Sequence, residues 1–284
     1  MLHVRPSVPA DVPEQRLLWK LAFGDSDTYI DNFYDTYYQP ERVLVLEEEG
    51  RVRSMTAWFD TTLVLPGTGE FRAAYLYAVA THPDCRGKGL AGRLLAGADA
   101  YFRSLAIPVV TTVPAEPSLH SFFDRNGFQE CFTLDQHTTS SAALPANPPG
   151  FSLSPLSPKE YNALRERILT KISHIAYSEE ALTYQARCSV LSGGGLYAAD
   201  TGHGTVIFCA EGMEDGRLML KELLGPEIAR DVLLQYLPVL LPTFSGIFRC
   251  PGPSIPFGMV KWLRCPPLSA SDGRSTTYLG FAFD

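Results

Sequence analysis

The chain has 284 residues, is 45% hydrophobic and carries a formal net charge of −7. That length and apolar content support buried cores in more than one unit, and the acidic balance argues against a general nucleic-acid or anionic-membrane binder, both of which need a broad basic surface. No stretch reads as a membrane span or a secretory leader, and the six cysteines, Cys85, Cys131, Cys188, Cys209, Cys250 and Cys265, are scattered with no C-x-x-C pair, so a reduced, cytoplasmic protein with no metal site and no disulfide framework is expected.

The opening LHVRP reads as a strand, and residues 9–23 carry Val12, Leu17, Leu18 and Leu21 at helical spacing. A second helix opens at Asp25, Ser26 or Asp27, with Tyr29, Ile30, Phe33, Tyr34 and Tyr37 as its apolar face. The period then shortens to that of strands. RVLVLEEEGRVRSMTAWFD gives two strands joined at Glu49-Gly50, and FRAAYLYAVATHP gives a third after the turn at 66–69, forming an antiparallel meander. A helix from Gly87 or Lys88 to Leu105, the strand IPVVTTV, a helix over 118–125 and a last strand over 128–134 complete a first domain, 1–140.

The Ser- and Pro-rich residues 141–157 read as a linker. The second domain, 158–284, offers helices over 158–169 and 178–191, strands at GLYAAD, TVIFCAEG and GRLMLKELL, and a helix opened by Pro226. Two helices, three strands and a helix repeat the order of the first domain, which predicts a duplicated architecture without similarity of letters.

Residues 86–92 read RGKGLAG, and Gly87, Gly89 and Gly92 have the spacing of a dinucleotide-binding fingerprint. That fingerprint needs a parallel strand-helix-strand unit and an acid at the end of the second strand. Here the preceding strand closes an antiparallel meander and the next ends VVTTV; a phosphate loop of the Gly-Lys-Ser/Thr type is absent as well. What survives is the physical core of such loops, glycines at the positive end of a helix with Arg86, Lys88 and Arg93 beside them, which suits a pyrophosphate without demanding NAD.

YLYAVATHPDCRGKGLAGRLL resembles motif A of the GCN5-related N-acetyltransferases, in which R/Q-x-x-G-x-G/A binds the pyrophosphate of acetyl-CoA; Arg86, Gly89 and Ala91 match it, and Gly127 and Phe128 match the end of motif B. The resemblance covers residues 1 to about 138. It implies an α/β (α+β) fold with a mixed, mostly antiparallel sheet flanked by helices. It also implies acetyl-CoA as cosubstrate with no metal, a small-molecule or lysine amine as acceptor, and no nucleic-acid or membrane partner; it allows a homo-oligomer. By the same resemblance Val79 and Thr81 line the pantetheine arm, Arg86, Gly87, Lys88, Gly89, Leu90 and Ala91 hold the pyrophosphate, and Pro114 sits where the following strand splays away. The second domain resembles a degenerate copy, as in the tandem acetyltransferases of the enhanced-intracellular-survival group without their third domain. Glu222 and Glu227 at its corresponding junction are expected to repel a pyrophosphate.

The chemistry nearest the thioester departs from the family. The tyrosine that motif B often supplies as acid is Phe123, and no glutamate lies between Phe71 and Val79 to act as base. Ser118 and His120 on the 118–125 helix are substitutes for the acid, although a helix cap and an exposed helix residue are the plainer readings of them. Tyr77 is expected to line the acceptor site, and Asp284, the chain-terminal residue, is the candidate base carried over from the enhanced-survival group. A non-catalytic acyl-CoA-binding or sensing protein is therefore the alternative to an N-acetyltransferase.

Overall fold

The computed structural model describes residues 2–140, 151–240, 245–266 and 277–283. In chain order its elements are β1 (Leu2–Pro6), α1 (Val12–Phe23), α2 (Asp27–Thr36), β2 (Val43–Glu48), β3 (Arg51–Leu65), β4 (Gly69–Thr81), α3 (Leu90–Ser104), β5 (Val109–Thr112), α4 (Pro117–Arg125) and β6 (Gln129–Ser140). Then follow β7 (Ser152–Pro155), α5 (Pro158–Leu169), β8 (Ser173–Tyr177), α6 (Glu179–Leu191), β9 (Gly195–Asp200), β10 (Thr205–Gly212), β11 (Leu218–Leu224), α7 (Glu227–Leu240), β12 (Ser245–Trp262) and β13 (Thr277–Tyr278). Two compact units result, one of residues 1–131 with 257–273 and one of 132–256 with 274–284.

In the first unit β1, β2, β3 and β4 are antiparallel neighbours and β4 runs parallel to β5. The β2–β3 turn is the expected two residues, Glu49 and Gly50, both with positive φ, the backbone that matches the twist of a tight hairpin. Ser26 caps α2, its hydroxyl accepting the Tyr29 N–H. α3 packs Leu90, Leu94, Leu95, Ala98 and Phe102 onto Leu44, Trp58, Leu76 and Val110 of the sheet. The helix comes close to β1 because residue 97 is glycine: a Cβ there would lie 2.5 Å from the Val4 Cβ. α1 turns a different face inward from the one its leucines suggest, burying Gln15, Leu18 and Trp19 while Leu17 and Leu21 stay exposed. The Trp19 ring outweighs them, because it packs against Phe33 at 5.1 Å and its indole N–H donates to Asp25.

The expected last strand of the first domain behaves differently. β5 takes as its next neighbour residues 259–262 of β12, antiparallel, with Met259 opposite Thr112 and Trp262 opposite Val109. Residues 132–140 of β6 belong instead to the second unit, where β6 lies between β12 and β13. Each unit thus completes its sheet with a strand from the other half of the sequence, which a reading in chain order does not anticipate.

The second unit repeats the first. β7, β9, β10 and β11 are antiparallel neighbours, β11 runs parallel to β12, and α7 connects that parallel pair as α3 connects β4 and β5. Its polar core centres on Arg165, which is fully buried and pairs with Glu222 at 3.0 Å. The Tyr161 hydroxyl donates to the same carboxylate, and Arg165 also reaches the carbonyls of Ile175 and Leu279. The segment 277–283 is buried here, Phe281 and Phe283 stacking among Tyr161, Tyr177 and Tyr184. Among the described residues no helix is long and apolar enough to cross a membrane.

Candidate active site

The β4–α3 junction of the first unit gathers the glycine loop, the bulge before it and an unpaired strand edge. β4 pairs with β5 from Ala73 to Leu76 and then runs on to Thr81, while β5 ends at Thr112. Pro114, which has no N–H to donate, follows two residues later, so the two parallel strands part where the resemblance implied. Residues 77–81 of β4 thereby run on beyond their pairing with β5.

On its other side β4 carries a bulge against β3, the register shifting between Met55 opposite Ala80 and Ala57 opposite Tyr77. Ala78 sits in this bulge with φ 50°, a left-handed conformation that costs a residue with a Cβ about 1–2 kcal/mol. The buried Thr56 hydroxyl holds the distortion by donating to the Tyr77 carbonyl at 3.1 Å. Nothing in the letters Ala-Val-Ala marks this bulge; its strain is legible only in the backbone. Val79 is half-buried against the α3 core, and the Thr81 hydroxyl bonds Ser54 at 2.8 Å.

From Thr81 the chain makes a 3-10 turn over Pro83–Cys85, with the His82 ring accepting the Asp84 N–H, and then the glycine loop. Gly87 and Gly89 have φ 74° and 73°, and a Cβ at either would meet nothing within 4 Å. Glycine is needed there for conformation rather than for room. Gly89 is the cap of α3 and offers no side chain to the helix's first amides; the first helical bond is Arg93 N–H to Gly89 O. The N–H groups of Leu90, Ala91 and Gly92 therefore precede the ladder, at the positive end of a 15-residue helix with no acid in its first turn. Arg86, Lys88 and Arg93 are exposed around this point, while the Leu90 side chain is core, leaving its backbone as its contribution. Arg86 is steadied by a bond from its Nε to the Thr81 carbonyl. Gly92 acts through packing instead. A Cβ there would lie 3.3 Å from the Asn126 side chain at the end of α4, so this glycine sets the spacing of two elements.

The remaining predicted residues are less concentrated. Tyr77 is half-buried and its ring meets Trp19 and Phe59 at 5.4 Å and Phe33 at 6.3 Å, an aromatic cluster drawn from α1, α2, β3 and β4. Ser118 does not cap α4; Glu116 occupies the cap, and the Ser118 hydroxyl turns to the Glu116 carboxylate at 3.3 Å. His120 is held by Glu130, Nδ1 to Oε1 at 2.5 Å. Phe123 is buried in the α3 core with its ring edge-on to Phe128. Asp284 lies outside the described residues.

At the corresponding place in the second unit only Gly225 and Pro226 join β11 to α7. Glu222 does not face a ligand there: it is buried and paired with Arg165, which corrects its expected part in repelling a phosphate. Pro226 at this junction has no N–H, and Glu227 is exposed in the first turn of α7, at the helix's positive end.

Residues 3–131 match the family model described as an acetyltransferase (GNAT) domain. Among solved structures, a GCN5-related N-acetyltransferase from Anabaena variabilis shares 14% identity with a TM-score of 0.71, covering 93% of this chain and 73% of its own. One from Kribbella flavida shares 15% at 0.70, over 92% and 71%. Eis1 from Mycobacterium abscessus shares 12% at 0.66, over 93% and 74%. At these identities the likeness is one of fold, and it extends through both units. No curated protein matches the sequence.

Proposed function

We propose that the protein moves an acetyl group from acetyl-CoA to a primary amine, on a small molecule or a lysine, and that the first unit, whose residues 3–131 match the acetyltransferase (GNAT) domain model, does the chemistry. The observation that carries this reading is the β4–α3 junction: a parted strand edge leading into two left-handed glycines and a cationic helix start. A pyrophosphate suits the unladdered amides of 90–92 with Arg86, Lys88 and Arg93, and an extended amide-bearing arm suits the edge of 77–81.

Acetyl-CoA supplies an activated thioester; the chain supplies orientation and charge. Backbone N–H groups beside the Ala78 bulge are the proposed oxyanion donors, a contribution of about 10²–10³-fold in comparable sites. Holding the amine neutral and close beside Tyr77, the half-buried member of its aromatic cluster, supplies proximity. Asp284 is the proposed base and Ser118 or His120 the proposed acid, directly or through water; a positioned acid is worth about 10²–10⁴-fold. With Glu227 at its first turn and no glycine loop, the second unit leaves CoA binding to the first.

One observation favours a second reading. The position where motif B usually offers tyrosine is Phe123 in the core, and His120 is engaged by Glu130, which fits an acyl-CoA-binding protein without turnover. Titration with acetyl-CoA followed by a CoA-release assay over a broad panel of primary amines separates the two. Binding with release establishes the transferase, and binding with no release across the panel establishes the sensor. Removing the last residues, Asp284 included, tests the base: an unchanged rate at neutral pH excludes it.

A further inference from the structure

The second unit carries a cluster that the transferase reading leaves unused. Asp135 and His137 are two residues apart on β6 and so share a face of the strand, and Cys250 stands on the neighbouring β12. One ligand atom from each of the three lies within 4.8 Å of the others. Two donors at alternate positions of one strand and a third from its neighbour is a geometry that closes on a metal ion with small side-chain movements. Tetrahedral Zn²⁺, with bonds of about 2.0–2.3 Å, needs donors roughly 3.3–3.8 Å apart, so a closure of about 1 Å suffices.

The surroundings orient each donor. A Cβ at residue 252 would fall 2.0 Å from the Asp135 carboxyl carbon, so the carboxylate lies over β12 only because that residue is Gly252. The Ser254 N–H donates to Asp135 Oδ1 at 3.0 Å, fixing the carboxylate and leaving Oδ2. The His137 ring stacks on Phe248 at 5.0 Å and 26°, which sets its plane. Cys250 is buried, and burial pushes its thiol up despite a hydrogen bond from Arg230. Charged groups near the cluster include Asp135 itself, Arg230 of α7 and Arg249, which bonds Gln136 at 3.0 Å.

We propose that Asp135, His137 and Cys250 form a three-residue site for Zn²⁺, with water as the fourth ligand on the exposed His137 side, and that the ion pins β6 to β12. A thiolate, an imidazole and a carboxylate are the donors of a borderline-soft divalent ion, whereas Mg²⁺ and Ca²⁺ take oxygen throughout. On binding, the Cys250 S–H bond breaks, the proton leaves to solvent and the sulfur electron pair goes to the metal. Arg230 then donates to a metal-bound thiolate, a supporting contact of the kind that tunes such sites. Cysteine spacing, from which no metal site is expected, is blind to this one because Cys250 lies more than a hundred positions from Asp135 and His137.

The test uses untagged full-length protein, stripped with chelator and carrying Cys265→Ser to remove an exposed thiol. Titration with Co²⁺ is expected to give a sulfur-to-metal charge-transfer band and tetrahedral-type visible bands that saturate at one equivalent. Zn²⁺ should displace them. Cys250→Ser should abolish the charge-transfer band, and His137→Ala or Asp135→Ala should weaken binding at least tenfold. Circular dichroism checks that each variant is folded. The proposal is overturned if no such band appears at one equivalent, or if it survives Cys250→Ser. A second readout is the unfolding midpoint, which Zn²⁺ should raise in the parent and leave unmoved in Cys250→Ser; an equal rise in both would place the ion elsewhere.

Discussion

The β4–α3 and β11–α7 junctions are built on the same plan, a strand of an antiparallel meander feeding a helix that leads to a parallel strand, yet they handle charge in opposite ways. In the first, Arg86, Lys88 and Arg93 are exposed around free helix amides, and the backbone there is held in left-handed turns that do nothing for packing. In the second the loop has shrunk to Gly225 and Pro226, and the strand's own charge, Glu222, has been drawn inward to Arg165. One junction leaves its charges exposed and the other turns its charge inward. A repeated fold can therefore differ in the charge it exposes: the difference lives in a few loop residues that the core does not require.

Arg165→Met probes the inward use of charge most severely. It leaves the buried Glu222 carboxylate without a counter-charge, held only by the Tyr161 hydroxyl, and a loss of about 3–5 kcal/mol is expected in denaturant unfolding of the second unit; the double variant with Glu222→Gln should recover part of it. Next comes Arg86→Glu, whose expected effect is on binding. Acetyl-CoA affinity should fall by about 2–3 kcal/mol, a loss on the scale of a charge-assisted contact turned repulsive. Stability should move by no more than about 0.5 kcal/mol, since Arg86 is exposed. If Arg86→Glu destabilised the fold and spared binding, the two junctions would be alike after all.

A more modest response concerns acid. Burial alone would raise the Glu166 carboxyl, but the hydrogen bond from His174 and the charge of Arg165 outweigh it and hold the group below its ordinary range. A depressed carboxyl contributes stability that is present above its unfolded value, about 4.3, and is lost as pH falls through the folded value. Because the side chain is partly exposed, the contribution is about 0.5–1 kcal/mol. Glu166→Gln should remove that much of the acid limb in pH-dependent unfolding and leave the neutral side unchanged in slope. Gly92→Ala should do least. Its Cβ would press on Asn126 without touching the left-handed turns, so acetyl-CoA affinity by calorimetry should stay within about threefold, or roughly 0.6 kcal/mol.

Much of this was legible in letters because local rules and global packing agree. The period-2 runs of the meander, the Glu49-Gly50 turn, the Ser26 cap and α5, α6, β9, β10, β11 and α7 of the second unit fall where spacing put them, whereas β7 lies within the residues read as a linker and β8 goes unread. The glycine loop was legible too, since a left-handed turn at a helix start leaves few other residues to choose. The failures share a cause: each depends on partners distant in sequence. Which face α1 buries is decided by Phe33 and Asp25 meeting Trp19, not by the number of leucines. The inward turn of Glu222 needs Arg165, fifty-seven positions away. The left-handed Ala78 is imposed by register against β3 and has no residue type to announce it.

The exchange of strands bears on how the chain is made. On a ribosome adding about 5–20 residues per second, the strand 259–262 is synthesised on the order of ten seconds after β5 emerges. Throughout that interval Val109, Val110, Thr111 and Thr112 present an unsatisfied β edge, the kind of surface that recruits other chains. The nascent first half must therefore wait, shielded or at risk, for its own distant partner, and crowded polysomes translating this message are where loss of yield should begin.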